Sequence, residues 1–183
     1  VFAILNCKRA DKYNIISVYS IMGDPELPVK DFKGWLSMSD LIEISKKLRL
    51  PLQGVFSKDE LPRKPVVGSY IINLQDADAG NGTHWTFFRI FKDKKVCYFD
   101  PFGLNMPENI REFLIEYEPV AWNNRQIQDL KSDKCGLFCI SCDYYFQYDC
   151  KRTDHYEGFD DYLNMWSIDP KKNDKILKEY LTD

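Results

Sequence analysis

Only two histidines occur in the 183 residues, His84 and His155, so any imidazole base is one of them. His84 follows a glycine-containing stretch and opens the apolar run His84–Phe91, where a loop-to-strand junction leaves a side chain open to substrate. His155, beside Tyr156, reads as a surface or capping histidine. Asp100 closes a second apolar run, Val96–Asp100, just before Pro101-Phe102-Gly103. Cys135 opens a third apolar run and is followed by Gly136, which leaves room for a substrate carbonyl. A thiol exposed at a helix start is favoured as thiolate by the unpaired N–H groups, by the positive end of the helix dipole and by a neighbouring imidazolium. Gln128 is a neutral side-chain donor that, with the Cys135 N–H, could hold the oxyanion of a tetrahedral intermediate. His84, Asp100, Gln128 and Cys135 together make a full set for acyl transfer.

Each residue also has an ordinary role. A buried cysteine is commonly a small hydrophobe, an aspartate before proline a turn residue, and a loop glutamine a solvated one. Cys139 and Cys142 form a C-x-x-C pair, but inside an apolar helix core packing is favoured over redox chemistry. A zinc site made from Cys135, Cys139 and Cys142 lacks a second ligand cluster, and neither metal nor organic cofactor is expected. Trp85 is either core or a lid over the His–Cys pair.

The elements that must position these groups follow from periodicity. His84–Phe91 and Val96–Asp100 read as a β-hairpin buried on both faces, because bulky residues occupy both parities. Positions 84 and 100 share a face only if the connection has an odd number of residues, through a three-residue loop or a bulge; a two- or four-residue loop separates them. The run from Cys135 to about Tyr148 is apolar nearly all round, as in a helix buried within a domain. A short amphipathic helix is expected from Ser39 or Asp40 to Pro51, with Leu41, Ile44 and Leu48 on one face. Val66–Leu74 and Val120–Trp122 read as strands. Pro107 opens a helix with Ile110, Phe113, Leu114 and Tyr117 as its stripe, and Asp169-Pro170 caps a last one. In residues 1–34, Tyr13–Tyr19 reads as strand and the region around Gly23-Asp24-Pro25 as loop. Strands in the middle with peripheral helices indicate an α+β architecture in one domain spanning 1–183.

Composition narrows the function classes. With 25 Lys+Arg against 28 Asp+Glu the net charge is −3, which argues against a protein that coats nucleic acid. No stretch reaches the ~18 consecutive apolar residues of a membrane span, and the apolar start Val1–Leu5 precedes Lys8 and Arg9 instead of following them, unlike a signal peptide. The six cysteines are therefore expected to be reduced thiols of a protein that is not secreted, and the sequon Asn81-Gly82-Thr83 an unmodified turn.

Gly82-Thr83-His84-Trp85, then Cys97-Tyr98-Phe99-Asp100-Pro101-Phe102-Gly103, then Gln128 and Cys135-Gly136-Leu137-Phe138-Cys139 resemble, in order and spacing, the adenovirus-type (adenain-like) maturation cysteine proteases of the Ulp1-like, papain-like superfamily. A weaker likeness in Pro51–Phe56 extends it to about residues 38–146. The resemblance implies a papain-like α+β fold with a central mixed sheet and a buried nucleophile helix. It implies His84 as base, Asp100 as its orienting partner, Cys135 as nucleophile, Gln128 in the oxyanion hole, and Trp85 and Gly136 against substrate. The expected function is cysteine endopeptidase cleavage of viral capsid precursors, after glycine-containing sites, in the infected cell's cytoplasm or nucleus and in the virion, by a monomer. The adenoviral enzyme is activated by a short disulfide-linked viral peptide, with DNA as a second activator, a scheme this chain is not expected to share in the same form. This chain has no cysteine between Cys97 and Cys135 where that link would fall, and residues 1–34 form an extension closer to proteases of virophages and Maverick/Polinton elements such as mavirus, which could replace the peptide in cis. The rival classes are a host-directed deubiquitinase or SUMO-type protease, a thiol-redox protein, and an inactive protease-like scaffold.

Overall fold

The computed structural model describes residues 35–80, 83–117 and 119–182, so the expectations for residues 1–34 and for Asn81-Gly82 lie outside the described residues. The described chain is α+β. Five strands form one mixed sheet in the order β1 (Leu52–Ser57), β2 (Gly68–Asn73), β3 (Trp85–Ile90), β4 (Val96–Phe99), β5 (Val120–Trp122). The outer pairs β1/β2 and β4/β5 are parallel and the inner pairs antiparallel.

The β3–β4 hairpin decides the geometry of the site. Its register pairs Ile90 with Val96, and Phe91 and Lys95 also pair through the Phe91 N–H on the Lys95 carbonyl at 2.9 Å. That leaves Lys92-Asp93-Lys94 as a three-residue loop, closed by Lys94 at φ +67°. An odd loop of this type ends in a left-handed residue, a role usually taken by glycine. Positions 84 and 100 consequently fall on the same face.

Every residue of β2 and β4 is buried, and alternate side chains enter two cores. Ile71, Phe87, Cys97 and Phe99 face helices α1 (Met38–Lys47), α3 (Cys135–Tyr144), α4 (His155–Asn164) and α5 (Asn173–Tyr180). Tyr70, Ile72, Phe88, Val96 and Tyr98 face the smaller layer built on α2 (Glu108–Phe113). The α3 helix is apolar on all sides because it lies between sheet and outer helices, and nine of its residues, Cys135–Asp143, are buried.

Some boundaries differ from the expected ones. The α1 helix begins at Met38, earlier than Ser39–Asp40, because Ser37 and Asp40 form a reciprocal capping box: Asp40 N–H donates to Ser37 Oγ at 3.2 Å and Ser37 N–H to Asp40 Oδ2 at 2.7 Å. The helix after Pro107 is short, and its stripe is completed by a 3₁₀ turn, Ile115–Tyr117. The α4 helix was not expected; Asp154 caps it by accepting from the Tyr156 and Glu157 N–H groups. Among the described residues no helix is long and apolar enough to cross a membrane.

Candidate active site

His84 lies just outside the start of β3, where its carbonyl still accepts from the Leu74 N–H at 2.9 Å, and Asp100 lies just past the end of β4. The hairpin brings them together: His84 Nε2 is 2.8 Å from Asp100 Oδ1, with the aspartate fully buried and the histidine 8% exposed. A carboxylate only accepts, so Nε2 carries the proton and the lone pair of the neutral ring sits on Nδ1. Phe102 stacks on the imidazole with centroids 4.5 Å apart and planes 21° from parallel, which holds the ring against rotation.

Asp100 is itself held from three sides. Its Oδ1 also accepts from the Phe102 N–H at 2.7 Å. Buried Asn123 clamps its backbone, accepting from the Asp100 N–H at 2.9 Å and donating to the Asp100 carbonyl at 2.7 Å. No motif marks Asn123 in the sequence, since its role depends on β5 lying beside β4.

Cys135 begins α3, and no side chain caps that helix start, which leaves its first N–H groups without a side-chain acceptor. The Cys135 thiol lies close enough to the imidazole to act on its titration. Burial pushes the His84 pKa down, but the hydrogen bond to Asp100 and the negative charge of Asp100 and of the nearby Cys135 sulfur outweigh it and lift the ring to about 9. His84 Nδ1 itself is buried and holds no hydrogen bond. Contrary to the exposed thiol expected at a helix start, Cys135 is only 4% exposed, because it joins the core cluster that includes Leu36 and Trp85.

Gln128 is tied to the same turn. Its N–H and that of Ile127 both donate to the Pro101 carbonyl, at 2.8 and 2.9 Å. This approach requires Gly103, at φ +70°, where a Cβ would fall 2.5 Å from the Arg125 carbonyl carbon. The Gln128 side chain is buried; Nε2 donates to the Ser132 carbonyl at 2.7 Å, and Oε1 has no hydrogen-bond partner. One Nε2 hydrogen remains for another acceptor.

The two remaining candidates have different surroundings from those expected. A Cβ on Gly136 would meet Leu41 at 3.0 Å and Leu36 at 3.3 Å, so the missing side chain lets α1 pack on α3, and only the Gly136 backbone is left to offer a substrate. Trp85 packs in the core cluster that also holds Cys135: it is 7% exposed, its indole N–H donates to the Leu36 carbonyl at 3.0 Å, and its backbone carbonyl accepts from Cys139 Sγ at 3.4 Å. Its edge nevertheless lines a cleft of about 370 Å³ with Met38, Ser57, Asn73 and Gln75 at the ends of β1 and β2.

Among the described residues, the other cysteines stay out of this site. Cys139 and Cys142 are free and fully buried, and burial pushes both thiols well above their ordinary range. His155 opens α4, stacks on Phe91 at 3.8 Å and contacts Asp93 at 3.2 Å, packing the helix onto the hairpin.

Comparison with family models and with curated proteins yields no match. Among solved structures, the chain is similar to the central domain of the uncharacterized Lpg1148 protein from Legionella pneumophila, at 12% identity and a TM-score of 0.43, over 81% of this chain and 96% of that one.

Proposed function

We propose that the chain is a cysteine endopeptidase of the Ulp1-like branch of the papain-like superfamily, with its groups in the chain order His84, Asp100, Gln128, Cys135, in which Cys135 is the nucleophile, His84 the base and Asp100 its orienting partner. The observation that carries this reading is the 2.8 Å pair between His84 and fully buried Asp100, with the Cys135 thiol as the neighbour that also raises the imidazole's pKa. His84 Nδ1 takes the thiol proton, and the sulfur attacks the scissile carbonyl to form a C–S bond. The negative oxygen that results is held by the Cys135 N–H and the spare Nε2 hydrogen of Gln128. The imidazolium then gives its proton to the leaving amine as the C–N bond breaks, and water, deprotonated by His84, hydrolyses the thioester. The orphaned donors at the uncapped start of α3 support this assignment of the oxyanion site.

The motifs around these residues support capsid precursor proteins as substrates, with small residues such as glycine before the cut. A thiol-redox role for Cys139 and Cys142 is disfavoured by their complete burial, since exchange needs an accessible thiolate. Incubation of the reduced protein with a capsid precursor, in chelator, followed by mass spectrometry of new termini, tests the proposal. New termini after glycine-containing sites, lost in Cys135→Ala, are expected; intact substrate, or cleavage that survives Cys135→Ala, overturns it.

A further inference from the structure

The loop 127–134 carries Gln128 and leads into Cys135, yet most of it lies outside regular structure and Leu130 within it is 74% exposed. Besides the Pro101 contacts and its own turn at Asp129, where Ser132 N–H donates to the Asp129 carbonyl at 2.9 Å, it is held by two consecutive residues at the start of α5. Asn173, fully buried, donates from Nδ2 to the Ile127 carbonyl at 2.9 Å and to the Ser167 carbonyl at 3.0 Å. Asp174 takes the other end of the loop: Oδ1 accepts from Ser132 Oγ at 2.8 Å and Oδ2 from Lys134 Nζ at 3.1 Å. Ser132 in turn offers its carbonyl to Gln128 Nε2 at 2.7 Å.

We propose that Asp174 is a positioning residue that, through Ser132, aims the Gln128 amide at the oxyanion; this rests on the endopeptidase reading above. The terminal torsion of a glutamine is broad and roughly two-fold, so the amide needs an external contact to fix its plane. The Ser132 carbonyl is that contact, because Gln128 Oε1 is buried without a partner. With one Nε2 hydrogen held by Ser132, the direction of the other is set by the planarity of the amide. Releasing Ser132 lets the amide turn, and the donor is lost to the transition state while the bound substrate is little affected.

The test uses the full chain and a fluorogenic peptide spanning a cleaved capsid site. An oxyanion donor is worth roughly 10²–10³ in turnover, and a misaimed one should lose part of that: Asp174→Ala is expected to lower kcat about tenfold with KM within about twofold. Asp174→Asn keeps an acceptor for Ser132 Oγ and should recover most of the loss. In a Gln128→Ala background, Asp174→Ala should cost nothing further. Alkylation of Cys135 by iodoacetamide forms no oxyanion, so its rate should stay at the wild-type value in Asp174→Ala. Unchanged kcat, losses that multiply with Gln128→Ala, or alkylation that falls in step with turnover would each overturn the inference and leave the endopeptidase reading standing. Wild-type protein that neither cleaves the peptide nor alkylates faster at Cys135 than at its other cysteines removes that reading, and the inference with it. If Asp174→Ala does not fold, Ser132→Ala removes the same hydroxyl contact and is held to the same outcomes.

Discussion

Asp100 Oδ1 lies 2.8 Å from His84 Nε2 and is the same oxygen that accepts the Phe102 N–H at 2.7 Å. Two donors converging on one oxygen fix the orientation of any side chain placed there. Asp100→Asn should therefore keep its carbonyl oxygen toward both donors, preserve the ring tautomer and lose only about tenfold in kcat/KM. Asp100→Ala frees the ring and leaves the Phe102 N–H unpaired, so a loss of roughly 10²–10⁴ is expected, the range for a disabled general base. Steady-state kinetics of the two variants check this; equal losses would refute it.

The pH dependence follows from His84. Its pKa is raised from 6.5 to about 9 in the folded chain, so its stabilising contribution is fully present below about 6.5 and is lost as pH rises through about 9. The melting temperature of the wild type should fall over that window relative to His84→Gln. Turnover should fall on the same alkaline limb, as the imidazolium that protonates the leaving amine disappears.

The cysteines should separate on substitution. Cys135→Ala is expected to abolish cleavage, and Gln128→Ala to cost roughly 10²–10³ in turnover. Cys139→Ala and Cys142→Ala should leave kcat near wild type while lowering stability by about 1–2 kcal/mol, as for small core truncations. Iodoacetamide should label Cys135 first, which peptide mapping by mass spectrometry reads out. A redox protein would show the reverse ranking, with Cys139 and Cys142 indispensable.

Asp143 joins α3 to the sheet, accepting from Ser69 Oγ at 2.5 Å and from Arg89 Nη1 at 3.0 Å with its side chain 1% exposed. Burial pushes its pKa up to about 6 against the opposing pull of Arg89 and the hydrogen bonds. Because the folded value lies above the unfolded one, this group's contribution falls as pH rises from about 4 to 6. Asp143→Ala takes the carboxylate from Arg89, which keeps Gln147 Oε1 at 3.2 Å and the backbone carbonyl of residue 143, and should cost about 3 kcal/mol in chemical denaturation, the low end for removing one partner of a buried pair.

Gly103→Ala places a methyl group within 2.5 Å of the Arg125 backbone at a left-handed φ of +70°. The loop bearing Gln128 must shift to admit it. Turnover is expected to fall more than tenfold, by the loss of an aligned oxyanion donor, while iodoacetamide labelling of Cys135 stays fast. Unchanged turnover would show that Gln128 does not act through this turn.

What the sequence alone determined were the elements with strong local signals and the residue types able to do chemistry. The strands His84–Phe91 and Val96–Asp100 were legible because bulky apolar residues filled both parities, and the helix at Cys135 because it is apolar all round. The capping box at Ser37 was legible in principle, but the neighbouring Ser39 offered a competing start. The α4 helix was obscured by Gly158, which is there because a Cβ would meet Cys150 Sγ at 2.5 Å, a contact no local pattern reveals. Tertiary structure decided the rest. Whether His84 and Asp100 share a face turned on Lys94 adopting φ +67°, where sequence leads one to look for glycine. Whether Trp85 is buried turned on which face of β3 meets α3. Asn123, Asn173 and Asp174 carry no motif, because each acts on backbone or side chains 23 to 46 positions away. Periodicity records only which side chains a segment buries, whereas catalytic geometry depends on how distant segments are registered against each other, and that register is set by packing of the whole sheet.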